Sequence, residues 1–283
     1  MIYSTAVKKM DFGKIKLAGI DLDGTLFTND KKIDKRTKTA IKNAHKKGVL
    51  IVPVTGRPFS GLSNEITDMK EIKYAVTNNG AEIIDLKTNK PIYSRQIDNK
   101  TSLEIIKKAE DLGTVFEVFT GGFGYLTAPT MENYMSIHGT TPVGTYIKHS
   151  RKIVDNVFDF VKNNVCNTDE IFITIQNKET QKALEAMLDK FENIHYWSIF
   201  GRFIEITHKE ADKGKAFTYL ANSLGIALTD TIAFGDGEND ISLLKSAGIS
   251  VSMENAEPGV KEIAALTTDS NDAFGVAKIL EKI

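Results

Sequence analysis

Asp21 and Asp23 stand one residue apart in the run "AGIDLDGTLFTND", residues 18–30, directly after apolar sequence and directly before Gly24. Two carboxylates at that spacing repel each other, and at the end of a buried strand only a cation or a ligand relieves the repulsion. An acidic, solvated turn fits the same residues, because Asp and Gly are ordinary turn formers. The run by itself leaves both readings open. Three other polar clusters bear on it: "TGR" at 55–57, "DKGK" around Lys213 and "GDGEND" at 235–240.

Brought to one place, Asp21, Asp23 and Asp236 make a site for a hard cation. Few protein oxygens, with no His or Cys among them, suit Mg2+, which keeps several waters and shares itself with a phosphate. The Thr55 hydroxyl, the Gly56 N–H, the Lys213 ammonium and the Asn239 amide are donors suited to phosphate oxygens. Such a cation beside such donors points to phosphoryl transfer, where catalysis is mostly positioning and charge neutralisation. A carboxylate can itself attack phosphorus and form an aspartyl phosphate. Asp21, closing the strand and least able to swing, is the candidate nucleophile. Asp23, past the turn, is the candidate acid that protonates the leaving oxygen and then activates water.

These residues need elements that bring them together. Short apolar runs at 15–20, 49–54, 74–77, 231–234 and 249–253 alternate with helix-period segments at 34–47, from Pro58, and at 214–224, 239–247, 258–265 and 273–282. Asp34 is a good N-cap for the first of those helices and Gly48 a good stop. Val- and Ile-rich strands alternating with helices predict an α/β fold, a doubly wound (Rossmann-like) parallel sheet covered on both faces. Ligands of open parallel sheets bind outside the carboxyl ends of the strands, so the turns after 15–20, 49–54 and 231–234 are expected to share one crevice. The middle of the chain is different: "FEVFT", "FGYLT", "IFITI", "IHYWSIF" and "RFIEI" alternate and are aromatic, with helices near 98–112, 153–164 and 179–189 among them. That pattern predicts an inserted α+β domain with an antiparallel sheet. The joints are placed near 87 and 206, which gives an α/β core of 1–86 and 207–283 and an insert of 87–206.

Bulk composition narrows the partners. The chain has 283 residues, 41% hydrophobic and 26% charged, with a net charge of −1. That leaves no basic field for nucleic acid or an anionic membrane. A single cysteine, Cys166, excludes an intramolecular disulfide. No apolar run reaches the length of a membrane span, and the first fourteen residues read as a loose leader without a secretory pattern. A cytoplasmic location is expected.

With those residues in hand, the chain resembles the haloacid dehalogenase-like superfamily. "DLDGTL", "TGRP", the Lys213–Gly214 pair and "GDGENDISLL" are similar to its four motifs, in its order, and the insert between the second and third is similar to the type IIB cap of the Cof-like subfamily. The resemblance implies a phosphatase. Asp21 matches the nucleophile and a Mg2+ ligand. Asp23 matches the acid/base and offers its backbone carbonyl to the metal, and Asp236 matches the remaining carboxylate ligand. Leu22, Thr55, Gly56, Lys213 and Asn239 match phosphate contacts, while Asp240 matches a position that supports Lys213 and the metal shell. A second aspartate in the first motif argues against the dehalogenase branch, which has no phosphate leaving group to protonate. The expected partner is a small phosphorylated metabolite, sugar phosphates first, for a monomer or small homo-oligomer.

The same residues fit other functions as well. A phosphomutase or phosphotransferase would replace water by a sugar hydroxyl, and a phospho-acceptor signalling protein would hold the acyl phosphate without turning it over. Arg57 reads equally as a solvated first-turn residue, and Asn78-Asn79-Gly80 reads first as a turn. Cys166 lacks the arginine six residues on that a cysteine-dependent phosphatase places there; Phe172 occupies that position. His45, His138, His195 and His208 show no ligand spacing. In the insert, Arg202 and the loop "TGGFG" at 120–124 are candidates for substrate contact.

Overall fold

The computed structural model describes residues 10–199 and 201–283. It divides into two compact units, one built from residues up to Gly56, Ser63–Tyr93 and Asp212–Ile283, the other from Arg57–Leu62 and Ser94–Ala211. Of the expected loose leader, residues 1–9 lie outside the described residues. Its remainder is ordered by local bonding: Phe12–Lys14 form a 3-10 turn, Asp11 accepts from the Gly13 N–H at 3.1 Å, and Phe12 is buried.

The first unit begins with strand β1 (Leu17–Ile20), buried along its whole length. Removing Leu17 and Ile20 from water contributes roughly 1.5–3 kcal/mol each. Helix α1 (Lys35–Lys46) follows, capped by Asp34, whose carboxylate accepts from the Arg36 and Thr37 N–H groups. Strand β2 (Leu50–Pro53) lies beside β1. Where a helix was expected from Pro58, a 3-10 turn (Phe59–Gly61) and the single-turn α2 (Asn64–Thr67) stand instead. Pro58 takes an extended ψ of 164°, so it precedes the turn and starts no longer helix. Strand β3 (Tyr74–Thr77) joins the hairpin strands β4 (Glu82–Asp85) and β5 (Lys90–Ser94) in a three-stranded sheet. Parallel bridges Ile51–Ile72 and Val54–Val76 tie this region to β2.

The second unit contains α3 (Asn99–Asp111), β6 (Val115–Thr120), β7 (Phe123–Leu126), α4 (Ala128–His138), α5 (Pro142–Ser150) and β8 (Arg151–Ile153). Then come α6 (Val157–Asn164), β9 (Glu170–Thr174), α7 (Lys178–Leu188), β10 (Ile194–Ile199) and β11 (Phe203–His208). Its sheet runs β10-β11-β9-β6-β7-β8, antiparallel except for the parallel pair β7–β8. Val118, Ile171, Ile173, Ile204 and Ile206 of the sheet pack with Ile105, Val161 and Leu184 of the helices. Strand alternation sends every second side chain to that core. Cys166 packs against its edge, and burial pushes the thiol up from its ordinary value. In this unit Gly121 and Gly122 turn β6 into β7, and the Arg202 carbonyl accepts from the Ile175 N–H.

The chain returns to the first unit with α8 (Lys213–Ser223), β12 (Thr231–Gly235), α9 (Ile241–Ser246), β13 (Ile249–Ser252), α10 (Pro258–Ile263), β14 (Leu266–Thr267) and α11 (Gly275–Leu280). A 3-10 turn, Glu238–Asp240, precedes α9, so the helix expected from 239 begins at Ile241. The main sheet is parallel throughout, ordered β14-β13-β12-β1-β2. From β1 the chain moves outward to β2 on one side, while β12 and β13 lie on the other. The topological switch therefore falls at β1, and the turns after β1, β2 and β12 leave the same sheet edge side by side.

Candidate active site

Asp21 is the first residue beyond β1, and its N–H donates to the Phe234 carbonyl of β12 at 3.1 Å. Its carboxylate is buried, 5% exposed, and accepts from Lys213 Nζ at 2.8 Å. Lys213 is the first residue of α8 and is itself buried, with Nζ also 2.6 Å from Asp240 Oδ1. The other Asp240 oxygen accepts from the Asp236 and Gly237 N–H groups at 2.9 and 3.1 Å. One buried carboxylate thus fixes both the ammonium and the turn after β12.

Asp236 faces the turn after β1. Its Oδ1 accepts from the Thr25 hydroxyl at 2.7 Å. A Cβ on Gly24, whose φ is +86°, would lie 2.2 Å from Asp236 Oδ2. Only glycine allows both that backbone and that approach, which explains the Gly24 of the opening run. Asp21, Asp236 and Asp240 each offer a carboxylate oxygen, and these lie within 4.8 Å of one another.

The charges in this cluster are not balanced. Burial, then Asp240, push the Asp21 carboxyl well above the usual range, although Lys213 pulls it down. Burial raises Asp236 to about 6, opposed by the Thr25 bond. Burial alone would lower Lys213, but Asp21 and Asp240 outweigh it and hold the ammonium protonated. With every group ionised, three carboxylates against one ammonium would leave two negative charges in a poorly solvated place, which is why the Asp21 and Asp236 carboxyls are pushed up. The donor set is oxygen only, small and doubly negative, which fits a hard divalent ion such as Mg2+. Asp240 is already engaged by Lys213 and two N–H groups, which leaves Asp21 and Asp236 as the carboxylates that could hold a cation.

The other expected residues are placed around this cluster. Asp23 is partly exposed and its Oδ1 accepts from Lys31 Nζ at 2.7 Å; its carboxylate is not in the acidic group. Leu22 is fully buried, and its carbonyl accepts from the Phe27 N–H at 2.8 Å, closing the turn. Thr55 is buried beyond β2, where its N–H donates to the Val76 carbonyl at 2.9 Å. Asn239 Nδ2 donates to Asn79 Oδ1 at 3.0 Å, and Gly56 lies against the same Asn79 amide. Arg57 groups with the second unit, its guanidinium 4.6 Å from the Tyr146 ring centroid and bonded to the Gly61 carbonyl. Two participants, Thr25 and Lys31, have no role of their own in the sequence reading, and Asn79 enters it only as part of a turn. Thr25 lies inside the first motif and Asn79 inside a turn signal, but nothing in the order of residues shows what either bonds to.

Comparison with known proteins shows the family. Residues 19–280 match the family described as haloacid dehalogenase-like hydrolase. The phosphatase YwpJ of Bacillus subtilis is 27% identical over 288 residues, covering 95% of this chain and all of that protein. A haloacid dehalogenase-like hydrolase from Bacteroides thetaiotaomicron superposes with a TM-score of 0.81 at 25% identity, covering 95% of this chain and 99% of that one. The subclass IIB sugar phosphatase BT4131 does so with a TM-score of 0.78 at 26% identity, covering 94% and 98%. With its four motifs gathered on a parallel sheet and a family match over nearly its whole length, this chain belongs to the haloacid dehalogenase-like hydrolases and is a phosphatase of the Cof-like type.

Proposed function

We propose that the protein is a Mg2+-dependent phosphomonoester hydrolase for small phosphorylated metabolites, sugar phosphates foremost, acting through an aspartyl phosphate on Asp21. One observation supports this above all: a buried Asp21 carboxylate held by Lys213, within a group of carboxylate oxygens close enough to share one cation. The sugar phosphatase relative supports the substrate class, and the α+β insert, residues 87–206, is read as the cap that selects the substrate.

When bound, Mg2+ neutralises charge on the Asp21 carboxylate and on the phosphoryl oxygens, so that two anions can approach. Asp21 and Asp236 are the carboxylates that would hold it, with the Asp23 backbone carbonyl. Lys213 fixes the position of the attacking carboxylate by its bond to Oδ1. The free lone pair of Asp21 attacks phosphorus in line with the ester oxygen. The P–O ester bond breaks as the P–Oδ bond forms, and Asp23 gives its proton to the departing alkoxide. Asp23, now a carboxylate, takes a proton from water as that water attacks phosphorus. The P–Oδ bond then breaks, returning the Asp21 carboxylate and releasing inorganic phosphate. Leu22, Thr55, Gly56, Lys213 and Asn239 hold the phosphoryl oxygens during both steps, and Asp240 keeps Lys213 in place.

Asp21→Asn keeps the size of the side chain and removes the nucleophile. With p-nitrophenyl phosphate and Mg2+, turnover is expected to vanish. Turnover at the wild-type level would rule out Asp21 as the attacking group.

A further inference from the structure

Asn79 belongs to none of the four motifs, yet it joins two of them. It is 5% exposed and takes a left-handed backbone, φ 52° and ψ 30°. Its N–H donates to the Thr55 carbonyl at 3.1 Å, and its Oδ1 accepts from Asn239 Nδ2 at 3.0 Å across 160 residues of chain. A Cβ on Gly56 would come to 3.0 Å from the same Oδ1 and 3.2 Å from Nδ2. The Asn79 amide therefore fills the space beside Gly56 while bonding the turn after β12.

We propose that Asn79 is a positioning residue that sets the orientation of the Asn239 amide for the phosphoryl group. This rests on the reading of Asn239 as a phosphate contact. The chemistry lies in the two faces of an amide. Asn239 is exposed at the tip of its turn, so solvent alone would let its amide rotate. A flipped amide would present an oxygen to a phosphoryl oxygen and repel it. Asn79 Oδ1 accepts only from a donor, so a flip would also set two oxygens about 3 Å apart. One Asn239 N–H is held by Asn79, and the other stays directed for the anion. Gly56 adds a steric reason for the arrangement, because any side chain there would push the Asn79 amide away from Asn239.

A mutant cycle on inorganic phosphate tests this. The inhibition constant of phosphate is measured against p-nitrophenyl phosphate in Mg2+ for wild type, Asn79→Gly, Asn239→Ala and the double variant. Glycine accepts the left-handed backbone and keeps the N–H bond to Thr55, so only the amide is lost. Asn239→Ala should raise the constant about tenfold or more, the loss of a hydrogen bond to a charged group. Asn79→Gly should raise it several-fold by itself and nothing further on top of Asn239→Ala. In an Asn79→Asp background, where an acceptor remains, Asn239→Ala should cost as much as in wild type; this arm holds even if Asn79→Gly folds poorly. Additive effects of Asn79→Gly and Asn239→Ala, or an Asn79→Gly protein indistinguishable from wild type, would overturn the positioning role while leaving the phosphatase reading intact. An Asn239→Ala protein with unchanged phosphate inhibition would overturn the phosphate contact itself, and the positioning role with it.

Discussion

Lys213 Nζ lies 2.8 Å from Asp21 Oδ1, joining residues 192 positions apart in the chain, and both side chains are buried. The ammonium holds the carboxylate still and offsets part of its charge. Lys213→Met would leave Asp21 and Asp240 buried without it. Breaking such a buried pair costs about 3–5 kcal/mol, so urea unfolding in EDTA should show a loss of that order, and turnover should collapse. Adding Asp240→Asn should recover part of the stability and none of the turnover. A Lys213→Met protein as stable as wild type would contradict the charge balance drawn for the site.

Thr25 supports the proposed ion site through Asp236. Its hydroxyl bond at 2.7 Å lowers the Asp236 carboxyl against the upward push of burial. Thr25→Val removes the bond at nearly constant volume. Losing a partner of a metal ligand typically weakens metal binding about 10–100-fold. The Mg2+ concentration for half-maximal turnover at neutral pH should rise accordingly, with Thr25→Ser close to wild type. An unchanged Mg2+ requirement in Thr25→Val would separate Thr25 from the metal.

Glu82 gives the fold a pH dependence of its own. It is buried in β4, its Oε2 has no hydrogen-bond partner among the described residues, and burial raises its carboxyl from 4.5 to about 7. The folded state therefore prefers the protonated form. Relative to Glu82→Gln, that preference is fully present below pH 4.5 and is lost as pH rises through about 7. The loss is on the order of 3 kcal/mol. Unfolding free energies from pH 4 to 8 should diverge between the two proteins, Glu82→Gln being the more stable at pH 8. Parallel curves would mean that Glu82 is solvated in the folded state.

In the second unit, Arg151 Nε and Nη2 bond both oxygens of Glu117 at 2.9 and 3.1 Å, and both side chains are buried. Glu117→Leu alone strands the guanidinium and should cost about 3–5 kcal/mol. Glu117→Leu with Arg151→Met removes both charges and should lose much less. Equal losses in urea unfolding would show that packing, not charge, dominates there.

Much of the first unit was legible because its strands are fully buried. Leu17–Ile20 and Thr231–Gly235 are buried along their whole length, so they read as apolar runs. Asp21 and Asp236 were legible because each follows a strand of the parallel sheet, β1 or β12, and such strands end at one edge. The β4–β5 hairpin was not, since Pro91 and the exposed Lys90 and Ile92 hide an edge strand. Helix α4 buries only Thr130, so its sequence carries no apolar stripe to read. Pro58 stands just before the Phe59–Gly61 turn, where the sequence predicts a helix start, because Pro fits a first turn as well as the residue before one. The bonds of Thr25 and of Asn79, the latter legible only as part of a turn, were not readable because their partners, Asp236 and Asn239, are 211 and 160 residues away.

The most direct test of the account is to catch the phosphoryl group on the enzyme. Wild-type protein turning over p-nitrophenyl phosphate in Mg2+ is quenched in acid, treated with borohydride and digested for peptide mass spectrometry. Borohydride reduces an acyl phosphate to the alcohol, so the account predicts homoserine at position 21 and at no other aspartate. Turnover that leaves every aspartate unreduced, or reduction at Asp23 or Asp236 instead, would contradict it.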